Sequence, residues 1–417
     1  MTATDAAVIA AAAPERPAHR DGNVLRWLGA FTASTVGDNI CFLALSWAAV
    51  RSGSPTQAGL VLAVGAVPRA LLMLGGGVVA DRFGPWKVVI GSDAARAAVI
   101  LGMALTLVFT SPTLWLLVAV ALVFGVVDAL FMPAVGALPP RIVGPGQLAR
   151  LQGLRGIAYR VGGISGASLG GVAVALGGSA AAFAAAGLLF ALSLPLLLGL
   201  KVAQLPAGEV TGENDSAWRQ LADGIRYIRH HRVLAPLMLL IAVGEIGFAG
   251  PANIGLTLLA KERGWGASGM GWIVAAFGLG AGGAALFLAV RGRVPYAGLV
   301  QSYALIGGAA AIAGLAYASS VALAALAGFA IGALAGFAGS ICSALTQTQT
   351  DPGYMGRVSS VSNLLAMGIA PLCYPLTGAA IGVWGTTPVF VTSAAVCAAG
   401  ALLGLASREL RHAELPR

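Results

Sequence analysis

The sequence predicts an all-α integral membrane protein, with twelve transmembrane helices in two six-helix bundles. Three observations predict it. Of 417 residues, 58% are hydrophobic and only 10% are charged, where a soluble domain carries about 25% charged residues. Mean hydropathy is +0.86. The apolar residues gather into twelve runs, each near the roughly 20 residues that a membrane helix needs. The longest polar stretch, 201–233, falls between the sixth and seventh runs. A soluble enzyme, a disordered chain and a fibrous repeat are excluded by this composition. The composition fits an outer-membrane barrel poorly, because barrel strands alternate polar and apolar residues. The 59 glycines suit helices that approach closely.

Taken in order, residues 1–22 form a disordered tail. Its apolar stretch from Ala6 to Ala13 is broken by Pro14, Glu15, Arg16 and Pro17, which is not the pattern of a cleaved signal peptide. The first bundle, 23–200, holds spans at 25–50, 58–80, 87–109, 113–138, 147–175 and 180–200. In the linker, 201–233, residues 207–216 have a flexible composition. In 217–233, Trp218, Leu221, Ile225, Tyr227 and Ile228 alternate with Arg219, Asp223, Arg226 and Arg229. That pattern predicts an amphipathic helix lying on the cytoplasmic leaflet. The second bundle, 234–407, holds spans at 234–259, 269–290, 297–317, 320–347, 358–382 and 386–406, and 408–417 form a second tail. Trp27, Trp47, Trp86, Trp115, Trp265, Trp272 and Trp384 fall near span ends, as an interfacial aromatic belt predicts.

An even number of spans puts both termini on one side. Of the 25 basic residues, only Arg51, Lys261 and Arg263 then lie opposite; Arg69 and Arg160 are counted within spans, and the rest, including those in the termini-side parts of spans such as Arg96, with the termini side. The positive-inside rule places both termini in the cytoplasm, and the membrane expected is a bacterial cytoplasmic membrane, crossed many times. It also accounts for the net charge of +9 without nucleic acid. Cys41, Cys342, Cys373 and Cys397 lie in apolar runs with no CxxC pair, and His19, His230, His231 and His412 lie outside the spans. Neither a disulfide frame nor a metal site is expected. No cofactor is expected either, and with no Walker loop ATP is not the fuel. An intramembrane enzyme finds no HExxH or GxSxG, and Gly163-Ile-Ser165-Gly166 reads as helix packing.

The two bundles echo each other. Val36-Gly37-Asp38 in the first span matches Val243-Gly244-Glu245 in the seventh. Paired six-span repeats with a midplane site between them are the plan of many secondary transporters. The loop after the second span carries Gly77, Ala80, Asp81, Arg82 and Gly84 and resembles the signature loop of the major facilitator superfamily. Pro85 and Trp86 stand where two basic residues are usual, with Lys87 one place later. The resemblance implies a gating role, in which Asp81 pairs with basic residues at a neighbouring helix end on the cytoplasmic side. The gating loop so expected comprises Gly77, Asp81, Arg82, Gly84, Lys87, Asp93 and Arg96. In the fifth span Gly162, Gly166, Gly170 and Gly171 resemble the antiporter motif of drug exporters, with Ala167 in place of a proline. Glycines so spaced carve a groove for another helix. Ser52-Gly53-Ser54-Pro55, Val67-Pro68-Arg69, Ser92-Asp93-Ala94-Ala95-Arg96 and Met355-Gly356-Arg357-Val358-Ser359 look like the macrolide-efflux and enterobactin-exporter branch. The likeness runs from about residue 25 to 405 and implies the major facilitator fold and export.

Ionisable residues inside spans are functional candidates because they are expensive to bury. Asp38, Arg69, Asp128, Arg160 and Glu245 are the proton-coupling candidates. Depth along the helices matches Asp38 with Arg69 and Asp128 with Arg160 to within about a turn. Glu245 finds no base at its depth, and a buried carboxyl without a countercharge favours its neutral form, as a proton carrier requires. The resemblance implies that spans one, four, seven and ten line the substrate path. That makes Phe42, Phe131, Phe248, Asn253, Phe337 and Gln347 cavity candidates. The expected function is a proton-coupled antiporter that exports a small hydrophobic or amphipathic compound, such as an antibiotic or other natural product. Its partners are that small molecule, protons and the lipid bilayer, with a monomer as the default. The alternatives are a transporter of a narrower polar ligand such as a siderophore and, from another class, a non-transporting membrane receptor.

Overall fold

The computed structural model describes residues 21–202, 217–291, 296–351 and 354–413. The first half comprises α1 (Gly22–Ser52), α2 (Pro55–Phe83), α3 (Pro85–Phe109), α4 (Leu114–Ala137), the single turn α5 (Pro139–Ile142) and α6 (Pro145–Leu198). After the linker helix α7 (Ala217–His230) comes α8 (Leu234–Gly250), continued through a π turn, Pro251–Gly255, into α9 (Leu256–Glu262). Then follow α10 (Gly266–Arg291), α11 (Ala297–Ala316), α12 (Val321–Gln349), α13 (Met355–Gly368), α14 (Ala370–Trp384), α15 (Thr386–Ala406) and the turn α16 (Arg408–Arg411). Among the described residues, eleven helices are long and apolar enough to cross a membrane. The twelve expected spans are met because α6 holds two of them. Gly177 (φ −142°, ψ 21°) and Gly178 (φ 67°) break its helical path, and a positive φ is a conformation that glycine adopts at little cost.

Local signals set the helix starts. Asp21 accepts a hydrogen bond from the Asn23 amide at the head of α1. Ser54 and Gln57 close a capping box on α2, with Pro55 in its first turn, so that donors left free by the helix end are satisfied. Gly84, at φ 85°, turns the chain sharply from α2 into α3.

The halves repeat one packing plan. In the first, α4 packs on α2, while α6 packs on both α1 and α3. In the second, α12 packs on α10, and α15 packs on both α8 and α11. The pairs α6–α10 and α2–α14 join the halves, and small residues let their backbones meet. A Cβ on Gly171 would lie 2.7 Å from the Ala267 carbonyl oxygen, and one on Gly271 2.7 Å from that of Ala167. Ser46 and Thr257 share a 2.6 Å hydrogen bond across the same seam. These junctions lie from the midplane to the end of the bundle away from the termini. The even number of crossings brings both described chain ends to the other end, where Arg26 donates to the Gly199 carbonyl and the Gly298 amide to the Ala413 carbonyl.

Leu176, Val290 and Trp115 are 84%, 81% and 80% exposed, an apolar rim fitted to acyl chains. The tryptophan belt needs correction. Trp115, Trp272 and Trp384 face outward, but Trp27 and Trp47 are buried, Trp27 stacking on Phe31. The linker helix also differs from its expected setting on the leaflet. Ile228 is buried and α7 packs on α13 and α8, so protein takes part of the apolar face that lipid was expected to cover.

Candidate functional site

A cavity of about 680 Å³ lies between the halves, bounded by α1, α2, α4, the first part of α6, and on the far side α8, the π turn, α13 and α14. Its volume is within the range of small-molecule sites. The first half lines it with Asp38, Asn39 and Phe42 from α1, Arg69 from α2, Asp128 and Phe131 from α4, and Arg155 and Tyr159 from α6. The second half supplies Glu245, Phe248, Asn253 and Tyr374.

Behind the first-half wall sits the guanidinium of Arg96, fully buried. It hydrogen-bonds Asp128 and lies 3.6 Å from Asp38 and 3.4 Å from Asp93. Its plane is held over the Phe131 ring at 4.0 Å, with Phe124 and Phe190 at 5.4 and 5.6 Å. Aromatic faces attract a guanidinium most where water is excluded. Asp93 is held in turn by the hydroxyls of Ser34 and Ser193, the former at 2.6 Å. Arg69 reaches Asp128 at 3.6 Å from the cavity side. Three carboxyls thus face two guanidiniums, so with all five groups ionised the cluster carries one uncompensated negative charge. One Asp38 oxygen is buried and accepts no hydrogen bond. Glu245, across the cavity, has no ion-pair or hydrogen-bond partner among the described residues.

The family model of the Major Facilitator Superfamily matches residues 27–370. The chain belongs to the major facilitator superfamily. No curated sequence relative matches it. Among solved structures it is similar to a variant of the nucleoside transporter NupG (TM-score 0.75, 14% identity, covering 93% of this chain and 100% of that one). An auto-inhibited POT family peptide transporter gives a TM-score of 0.73 at 13% identity, with 95% and 98% covered. A D-xylose–proton symporter gives 0.70 at 13%, with 92% and 97% covered. At such identities the likeness shows the superfamily fold alone.

Within that fold, several expected residues meet at the cavity and others do not. Asp38, Arg69, Asp128, Glu245, Phe42, Phe131, Phe248 and Asn253 line it. The expected pairings are corrected. Arg69 contacts Asp128, and Asp38 contacts Arg96. Arg160 pairs with neither acid and is exposed on α6, because the helix turns it toward Gly282 of α10. Asp93 and Arg96 are not in the gating loop. They stand eight and eleven residues into α3, roughly 12–16 Å from its start. Of the loop itself, Arg82 and Lys87 are exposed, Arg82 lying against Phe83, while the side chains of Gly77 and Asp81 are outside the described residues. Phe337 packs against Phe287 away from the cavity, and Gln347 lines a different one.

The four glycines of the fifth span do form a groove. Gly162, Gly166 and Gly170 face Thr35, Val36, Asn39 and Ile40 of α1, and Gly171 faces α10. Sequence reasoning missed Ser34, Ser193 and the central place of Arg96. The signal was present, since Arg96 falls inside an apolar run with an acid three residues before it.

Proposed function

We propose that this superfamily member is a proton-coupled antiporter that exports a small hydrophobic or amphipathic compound across the bacterial cytoplasmic membrane. One observation carries the reading: Asp38 and Glu245, carboxyls from opposite halves, line the same cavity. A proton held there is felt by both halves, and so is a ligand. The cluster's charge count supports coupling, because a proton on one carboxyl makes it neutral, and a cationic group does the same. Each proton moving down 100 mV supplies about 2.3 kcal/mol. The distribution of basic residues supports a cytoplasmic location for the termini. On that footing the halves are closed outside and parted toward the cytoplasm, the state that loads cargo for export. The glycine groove against α1 and the likeness of the sequence motifs to the macrolide-efflux branch support export. The aromatic walls Phe42, Phe131 and Phe248 suit an amphipathic ligand.

Asn39, Asn253, Arg155 and Tyr159 on the same walls favour a second reading, an exporter of a narrower, more polar ligand such as a siderophore. One experiment tests both. In inside-out vesicles with an acid-inside gradient, a panel of fluorescent cationic and neutral drugs is followed with wild type, Glu245→Gln, and nigericin. Gradient-dependent uptake that fails in the variant supports the proton-coupled exporter. Undiminished uptake in Glu245→Gln removes that residue from the coupling. Silence across the panel, with thermal shifts by polar natural products, supports the second reading.

A further inference from the structure

The repeat that relates the halves leaves one position filled in the first and empty in the second. In the first half, Arg96 occupies the space enclosed by α1, α3, α4 and the second part of α6. Asp38, Asp93, Asp128 and Phe131 surround its guanidinium, and Ser193 holds Asp93. The counterparts of these helices in the packing plan are α8, α11, α12 and α15. Between them and α13 lies a cavity of about 450 Å³. Glu245, which matches Asp38 in the sequence repeat, lines it, and Phe248 supplies an aromatic face one turn along α8. Leu305 of α11 also lines it. Among the described residues no Lys, Arg or His lines it, and α11 and α12 contain no charged residue at all. Gln301, Ser343, Gln347, Ser362 and Asn363 give it neutral polar lining, and Leu240 and Ile331 are apolar parts of its wall. Among the described residues, Glu245 and Phe248 alone line both this cavity and the central one.

We propose that the second-half cavity is a separate binding site for a small organic cation, an aryl or alkyl guanidinium or ammonium. Its charged head takes at Glu245 the place that Arg96 holds at Asp38. The first half shows which chemistry suits this enclosure, namely a planar cation between carboxyl and ring. The second half keeps the acid, a ring and the space, and lacks the cation. A buried carboxyl gains most from a partner that brings both charge and hydrogen-bond donors, and the volume is that of a small-molecule site. The proposal concerns binding to the protein and stands without the transport reading.

The test is calorimetric titration of the full chain in nanodiscs with benzylguanidinium, and with neutral benzylurea as its near-isostere. Three variants accompany wild type. Glu245→Gln removes the charge. Gly339→Leu fills the cavity from α12, where a Cβ meets nothing within 4 Å. Leu305→Arg supplies a tethered guanidinium from α11. Wild type is expected to bind benzylguanidinium and not benzylurea, and all three variants to weaken binding at least tenfold while melting as folded proteins. If Glu245→Gln does not fold, the other two decide. Wild-type affinity in both Gly339→Leu and Leu305→Arg would place the cation in the central cavity and overturn the proposal. Equal affinity for benzylurea, or no binding at millimolar cation, would overturn it as well. No proton gradient enters the readout, so this site and the antiport reading fail or survive separately.

Discussion

Ser46 of α1 and Thr257 of α9 hydrogen-bond through their hydroxyls at 2.6 Å, both fully buried, on the seam between the halves. Four residues later on each helix, the Lys261 ammonium donates to the Val50 carbonyl at 2.6 Å. These two bonds join the halves at the end away from the termini, and the proposed transport cycle requires them to break. A buried hydroxyl left without its partner costs about 1–3 kcal/mol. Thr257→Val should therefore shift the balance toward the state open on that side by roughly 5- to 150-fold. The double variant Ser46→Ala with Thr257→Val should recover part of the shift, because no hydroxyl is then stranded. Spin-label distances across the seam read this directly. Wild-type distances in the single variant would mean that the bond does not hold the closure.

Arg96 contacts all three aspartates of the first-half cluster, Asp38, Asp93 and Asp128. Removing one member of a buried charge network leaves the others uncompensated, which costs about 3–5 kcal/mol. Arg96→Leu should lower the melting temperature and the folded yield sharply. Arg96→Lys should fall between, since an ammonium has no plane to lay on the Phe131 ring. Adding Asp128→Asn to Arg96→Leu removes one stranded carboxylate and should restore part of the stability. Thermal melting of the four proteins in one detergent measures the series. A double variant no more stable than Arg96→Leu would show that charge balance is not what the arginine provides.

The fold was legible because the membrane reduces the problem to counting apolar runs, and the break between the fifth and sixth spans was marked by two adjacent glycines. The site was legible in membership and not in partnership. Asp38, Arg69, Asp128 and Glu245 stand out as charges in apolar runs. Their partners depend on which helices touch and on the angular face each residue presents, and depth along a helix says nothing about either. Arg160 matched Asp128 in depth and points elsewhere. Arg96 looked like part of a loop because it follows a charged motif by only a few residues, yet α3 starts at Pro85 and carries it well into the bundle. The cavity in the second half was marked in sequence only through Glu245, Phe248 and Gln347 among its lining, since its space is made largely by small residues not filling it.

Two neighbouring glycines of the same helix should respond in opposite ways to an added methyl group. A Cβ on Gly166 would sit 2.6 Å from the Asn39 Cβ and 2.8 Å from the Val36 carbonyl oxygen, so α6 must move off α1. A Cβ on Gly163 meets nothing within 4 Å. Overpacking a tight contact costs about 1–3 kcal/mol, whereas alanine is better than glycine inside a helix by about 0.5–1 kcal/mol. Gly166→Ala should lower the melting temperature, and Gly163→Ala should leave it unchanged or raise it. Equal behaviour of the two variants would rule out close packing as the reason for the glycine at 166.

The linker helix is latched to the second half through Tyr227. Its hydroxyl donates to Asp351 Oδ2 at 3.0 Å and accepts from the Asp351 amide at 3.2 Å. Its ring stacks on Tyr354 at 4.3 Å and 11°. Desolvation first, and then the Asp351 carboxylate, hold the phenol above its usual pKa, so it keeps its proton and donates throughout the neutral range. One turn back, Gly224 lets α7 come so close that a Cβ there would be 2.9 Å from the Arg357 carbonyl oxygen. Tyr227→Phe keeps the stack and loses the hydroxyl bonds, about 0.5–1.5 kcal/mol for each. Tyr227→Ala loses both stack and bonds. Limited trypsin cleavage after Arg226 and Arg229 should speed up several-fold in Tyr227→Phe and further in Tyr227→Ala, while Ile225→Ala, an exposed position on the same helix, should cleave at the wild-type rate. Acceleration of the same size in all three would mean that α7 is held by general apolar contact, and that the tyrosine latch contributes nothing of its own.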